Sequence, residues 1–150
     1  MTSPILIDAN IPIYAMGRAH ALKAPALHIL DLAANFPASF LTDAEVLQEL
    51  VHRSLALKQW SQTRPYFFEF AILMNGRVES MTAEDVEHAA VLADGYSFLS
   101  ARDLVHLAVM QRVGCTRIAT ADSAFDRVDG IERLDPMRFD EWAPSITDPV

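Results

Sequence analysis

Apolar positions in this chain fall into two patterns. Some form short continuous runs; others recur three or four residues apart. Residues 4–7, "PILI", are a run of the first kind, closed by Asp8-Ala9-Asn10, and read as a buried strand. Asn10 ahead of Ile11 and Pro12 predicts an N-cap with proline in the first helical turn. A second helix is predicted over Ala21 to Ala34, where Leu22, Ala26, Ile29, Leu30 and Ala33 keep helical spacing. Residues 38–42, "ASFLT", read as the next strand. Thr42 with Glu45 three residues on forms a capping box that opens a helix from Asp43 to Leu57, with Leu47, Leu50, Val51 and Ser54 as its inner stripe. A further helix covers Gln59 to Met74 and carries Tyr66, Phe67, Phe68 and Phe70, with Pro65 placed to kink it near its start. Residues 77–81 read as a short strand. Thr82 then caps a helix running to Ala93. Ser100 opens one more helix, apolar over most of its circumference from Leu104 to Val113 and closed by Gly114. Strands are predicted at 117–120 and 131–135.

Strands alternating with helices specify an α/β fold with a mainly parallel sheet. The unbroken apolar character of "ILI" fits burial on both faces. In such sheets ligands collect beyond the carboxyl ends of the strands. After "PILI" and after "RIAT" an aspartate stands there: Asp8 and Asp122.

Composition narrows the options. The 150 residues are one domain by length, 1–150, large enough to bury about two thirds of the unfolded surface. Apolar residues make up 51 %, which excludes a disordered chain. Cys115 is the single cysteine, so no internal disulfide forms, as expected in a reducing compartment. Neither a signal peptide nor a membrane-length apolar run is visible, and a cytoplasmic location without membrane contact is expected. The net charge of −8 counts against a nucleic-acid partner. Two bound divalent cations would halve it. No glycine-rich phosphate loop and no Gly-x-Ser-x-Gly elbow occurs.

Five acids are candidates for a site: Asp8, Glu49, Asp103, Asp122 and Asp126. Each has a local explanation. Asp8 and Asp122 are turn formers after strands. Asp103 lies three residues after Ser100 and completes a helix cap. Glu49 can pair with Arg53 at i+4, and Asp126 with a nearby arginine. Together these explanations weaken, because the topology brings Asp8 and Asp122 to one sheet edge. Carboxylates about 5 Å apart repel by roughly 3 kcal/mol per pair at an effective dielectric near 20. Such a cluster takes up protons or holds cations, and an all-oxygen set suits Mg²⁺ or Mn²⁺. The five histidines show no close metal-binding pair; His106, one turn after Asp103, reads as a packed or surface histidine rather than a ligand.

Four stretches, "ILIDANIPIYA", "FLTDAEVLQEL", "SARDLVHLAVM" and "RIATADSAFD", resemble in order and separation the PIN-domain nucleases, most closely the VapC-type toxins of toxin–antitoxin pairs. Pro12 departs from the aliphatic residue often found there, harmlessly in a first turn. The resemblance implies a three-layer α/β/α sandwich with an acidic pocket at the carboxyl edge of the sheet. It implies metal-dependent endoribonuclease activity with Mg²⁺ or Mn²⁺, metal-activated water attacking an RNA phosphodiester. Asp8, Asp103 and Asp122 match the metal-holding aspartates, and Glu49 a glutamate serving a second metal or the water. Asp126 matches a position acidic in only some members, and Asn10 and Thr120 match supporting polar residues. Arg102 and Arg53, with Arg18 and Lys23, are candidates for a substrate-binding rim; scattered surface cations are the alternative. The implied partners are RNA, a second copy of the chain in a homodimer, and a small cognate antitoxin. The aromatic group Tyr66–Phe70 would serve a partner groove, a dimer contact or the core. The alternative function is a non-catalytic PIN-like module that binds RNA or protein.

Overall fold

The computed structural model describes residues 3–148; Met1, Thr2, Pro149 and Val150 of the expected 1–150 domain lie outside the described residues. Five strands, β1 (Ile5–Ile7), β2 (Phe40–Asp43), β3 (Val78–Glu79), β4 (Arg117–Ala119) and β5 (Glu132–Leu134), form one parallel sheet in the order β3-β2-β1-β4-β5. Among the described residues the α-helices are α1 (Asn10–Met16), α2 (Lys23–Asn35), α3 (Ala44–Ala56), α4 (Trp60–Leu73), α5 (Ala83–Leu92), α6 (Ala101–Val113), α7 (Phe139–Trp142) and α8 (Pro144–Thr147).

Side chains alternate across the strands and so build two cores. Ile5, Ile7, Phe40, Ala119 and Leu134 face helices α1 to α4 and the C-terminal turns. Leu6, Leu41 and Ile118 face α5, α6 and the turn carrying Phe125 and Val128. The result is three layers, α/β/α. Helix α6 is buried at seven consecutive positions, Leu104 to Met110, which accounts for its near-absence of a polar face. It lies on the sheet and is flanked by α5 and α3. Gly114, in the left-handed conformation at φ 73°, ends it by donating its N–H to the Met110 carbonyl.

Two predicted caps fall elsewhere. Thr42 belongs to β2, its hydroxyl donating to the Ile7 carbonyl at 2.8 Å, so Asp43 becomes the cap of α3 and accepts from the Val46 N–H at 3.0 Å. Asn10 is the first residue of α1 rather than its cap, because its amide is engaged across the sheet edge. The inner stripe of α3 is Val46, Leu50 and Ser54, with Leu47 and Val51 only half-buried. In α4, Phe70 enters the core, whereas Tyr66 and Phe68 are exposed. Among the described residues no helix is long and apolar enough to cross a membrane.

Candidate metal centre

The sheet order places β1 beside β4, so their following residues meet at one edge. The Asp8 N–H donates to the Ala119 carbonyl at 3.1 Å, which fixes the approach. Asp8 is buried, 5 % exposed. Its Oδ1 accepts from the Ala9 N–H at 2.7 Å, and its Oδ2 from the Thr120 hydroxyl at 2.8 Å and the Asn10 amide at 3.3 Å. Thr120 Oγ1 also accepts from Asn10 Nδ2 at 2.8 Å and from the Asp122 N–H at 3.0 Å, so its one donor and two acceptor positions are all used. Asn10 Oδ1 accepts from the Ala121 N–H at 3.1 Å. Asn10 and Thr120 thus hold Oδ2 of Asp8 while the Ala9 N–H holds Oδ1.

A cleft of about 410 Å³ opens over this edge, lined by Asp8, Asn10, Glu49, Asp103 and Asp122 together with Ile13, Tyr14, Arg53, Ser100 and Arg102. Four of the five acids predicted from the sequence therefore meet. Asp122 sits ahead of a 3₁₀ turn, Ser123–Arg127, and accepts from the Ala124 N–H at 3.0 Å. Asp103 is in the first turn of α6, where its N–H donates to Ser100 Oγ at 3.2 Å. Burial and then the negative charge of Asp8, with a contribution from Asp122, push the Asp103 carboxyl up to about 6, against the hydrogen bond from Ser100 and the charge of His106. Glu49 is raised as well, first by burial and then by Asp8, with Arg102 and His106 opposing.

The fifth acid does not join them. Asp126 is absent from the cleft lining and its carboxylate takes two hydrogen bonds from Arg133, at 2.9 and 3.1 Å, which hold it below the usual carboxylate range. The segment winds as a 3₁₀ turn rather than an α-helix, so Asp122 and Asp126 do not line up at i and i+4. Glu49 pairs with Arg102 at 3.5 Å, and Arg102 also reaches Glu45 at 3.7 Å. Arg53 lines both this cleft and a neighbouring one of about 540 Å³ that Arg18 also borders and that contains no carboxylate. Lys23 borders neither, and its ammonium donates to the Gly17 carbonyl.

Two residues at the floor carry more than their sequence positions suggested. His106 is packed, as one reading of the sequence had it, and completely buried, but its ring also abuts Asp8 from beneath the cleft. Its Nδ1 lies 2.6 Å from Asp43 Oδ2, and its Nε2, 3.6 Å from Asp8 Oδ1, has no hydrogen-bond partner. Burial pulls the ring towards the neutral form, but the Asp43 hydrogen bond and the charges of Asp43, Asp8 and Asp103 outweigh it and raise His106 to about 9. Donor atoms of Asp8, Glu49 and His106 lie within 4.8 Å of one another, a spacing that fits one metal ion. The sequence did hold a trace of this: His106 stands three residues after Asp103, on the same helical face. Asp43 had no such trace, since it read as an ordinary helix-start acid.

A parallel five-stranded sheet between helical layers, with carboxylates gathered beyond β1 and β4, defines an α/β sandwich protein with an acidic cleft at its carboxyl edge. Residues 5–131 match the PIN domain, and the chain belongs to the PIN-domain family. It is 41 % identical over 130 residues to Ribonuclease VapC13 of Mycobacterium tuberculosis, spanning 87 % of this chain and 98 % of that protein. Ribonuclease VapC23 of the same species is 36 % identical over 118 residues, 79 % of this chain and 92 % of that protein. The fold superposes on a chain of VapBC2 from Rickettsia felis, solved bound to a DNA fragment from their promoter, with a TM-score of 0.67 at 16 % identity, covering 87 % of this chain and 98 % of that one.

Proposed function

We propose that the chain is a single PIN domain acting as a metal-dependent endoribonuclease with Mg²⁺ or Mn²⁺, the toxin of a type II toxin–antitoxin pair working in the cytoplasm. The observation that carries the reading is the meeting of Asp8, Glu49, Asp103 and Asp122 in one cleft at the carboxyl edge of the sheet. Two of these carboxyls, Glu49 and Asp103, are raised, first by burial and then by the negative charge of Asp8. A divalent cation removes that conflict, and the donor set of hard oxygens fits Mg²⁺ or Mn²⁺. The likeness to Ribonuclease VapC13 and Ribonuclease VapC23 supports RNA as the substrate class.

Asp8, Asp103 and Asp122 would hold the cation, with Glu49 at its edge. When bound, the ion supplies polarisation of the scissile phosphate and a more acidic water. Asn10 and Thr120 keep the Asp8 carboxylate from rotating away. Glu49 orients the attacking water, its carboxylate steadied by Arg102. Arg53, at the junction of the two clefts, receives a flanking phosphate of the RNA. The exposed apolar side chains Leu55, Leu57, Tyr66 and Phe68 on α3, α4 and the turn between them support a protein partner, either a second copy of the chain or a small antitoxin.

The test is cleavage of RNA by the wild-type chain, Asp8→Asn and Asp103→Asn in Mg²⁺ or Mn²⁺. Cutting by the wild type and its loss in both variants are expected. Undiminished cutting in both variants would remove the metal-site assignment, and no cutting by a metal-binding wild type would favour a binding module.

A further inference from the structure

We infer that His106 is a nitrogen ligand of the cation in this cleft, held for that role by Asp43, so that the site favours a first-row transition ion such as Mn²⁺ over Mg²⁺. The inference rests on the metal-dependent reading above and adds a ligand and an ion preference that the carboxylates alone do not supply.

The geometry has three parts. First, His106 is completely buried, yet its Nε2 has no hydrogen-bond partner. Leaving a buried polar atom unpaired is unfavourable, and such atoms in a native fold call for a specific explanation. Second, Nε2 lies beneath the cleft, against the buried carboxylate of Asp8. It is 3.6 Å from Asp8 Oδ1, and donor atoms of Asp8, Glu49 and His106 all lie within 4.8 Å. An ion bonded at about 2.1 Å separates adjacent donors by about 3 Å and opposite ones by about 4.2 Å, so small side-chain adjustments bring all three into range.

Third, the other ring nitrogen is already committed. Asp43 Oδ2 is 2.6 Å from Nδ1, and Asp43 Oδ1 is pinned by the Val46 N–H at the start of α3. With Nδ1–H donating to Asp43, Nε2 is the nitrogen left to meet the carboxylates, and a cation that displaces its proton takes its lone pair. This is the carboxylate–histidine–metal arrangement, in which the outer carboxylate fixes the tautomer and strengthens the ligand. Imidazole suits first-row transition ions, whereas Mg²⁺ prefers oxygen donors and water. The sequence reading of an all-oxygen site is thereby modified by one nitrogen from the floor.

The test is pulsed electron paramagnetic resonance of the chain loaded with one equivalent of Mn²⁺, with and without ¹⁵N-histidine, alongside calorimetry with Mn²⁺ and Mg²⁺. The expected spectrum shows ¹⁴N modulation that becomes ¹⁵N modulation on labelling and disappears in His106→Gln. Mn²⁺ should bind at least about tenfold more tightly than Mg²⁺. Asp43→Asn retains an acceptor for the cap and serves if His106→Gln does not fold; it should weaken Mn²⁺ about tenfold. Mn²⁺ bound without nitrogen modulation, or with modulation unchanged in His106→Gln, overturns the inference and leaves the carboxylate site standing. No Mn²⁺ binding at millimolar concentration overturns both.

Discussion

Replacing Asp103 by asparagine separates a metal ligand from a helix cap, because the two roles predict opposite stability changes. The Asp103 carboxyl is held up to about 6 in the folded, metal-free chain against an ordinary 3.8. Between those values the folded chain keeps a proton that the unfolded chain has lost, so stability falls as pH rises through the window. The cost is absent well below pH 4 and complete above about pH 6. A shift of this size corresponds to about 3 kcal/mol. The carboxyl is only partly shielded from water, and screening reduces this to about 1–2 kcal/mol. Asparagine gives up about 0.5 kcal/mol of carboxylate attraction to the start of α6. The variant should therefore be about 1 kcal/mol more stable than wild type in EDTA at pH 7.5, by urea unfolding, with the gain gone at pH 4. Adding Mn²⁺ at a hundredfold excess over its dissociation constant should stabilise the wild type by about 2.7 kcal/mol and the variant far less, reversing the order. A variant that is less stable in EDTA by the same amount at both pH values would refute the reasoning and return Asp103 to the role of a cap with Ser100.

Thr120→Val keeps the shape but removes the hydroxyl shared by Asp8, Asn10 and the Asp122 N–H. It should cost about 2 kcal/mol in chemical unfolding and about tenfold in Mn²⁺ affinity by calorimetry. Asp126→Asn should leave RNA cleavage within about twofold of wild type, because its carboxylate is spent on Arg133, whereas Asp122→Asn should reduce cleavage by at least about a hundredfold. Equal losses in the two variants would place Asp126 at the metal. Arg53→Ala should raise KM several-fold with little change in kcat and lower the salt dependence of RNA binding; a loss confined to kcat would contradict a phosphate contact.

The fold was readable because its strands announce themselves. Ile5–Ile7 and Arg117–Ala119 are short runs ending in polar turns, and the helices between them keep their periodicity. Element ends were less readable where a side chain found a partner distant in sequence. Thr42 left its predicted cap for the Ile7 carbonyl, and Asn10 turned to Thr120 and Ala121. Asp8 and Asp122 were readable together because parallel topology gathers strand ends at one edge, whereas Glu49 and Asp103, which lie on helices, joined them through the resemblance of their stretches to the family. Asp126 was not readable, since the choice between a 3₁₀ turn and an α-helix over Ser123–Arg127 decides where it points. Asp43 and His106 were hidden for a similar reason: they are 63 residues apart in sequence, and only the packing of α6 beside the end of β2 joins them.

The central claim is that one divalent cation site, built on Asp8, Asp103 and Asp122, governs RNA cleavage. The most direct measurement strips the chain with EDTA and restores Mn²⁺ stepwise, following cleavage rate and calorimetric binding on the same preparation. The account predicts no cleavage in EDTA and half-maximal rate at the Mn²⁺ concentration that half-fills the calorimetric site. It also predicts loss of both curves in Asp8→Asn. Cleavage that persists in EDTA, or a calorimetric site that survives intact in Asp8→Asn, would contradict it.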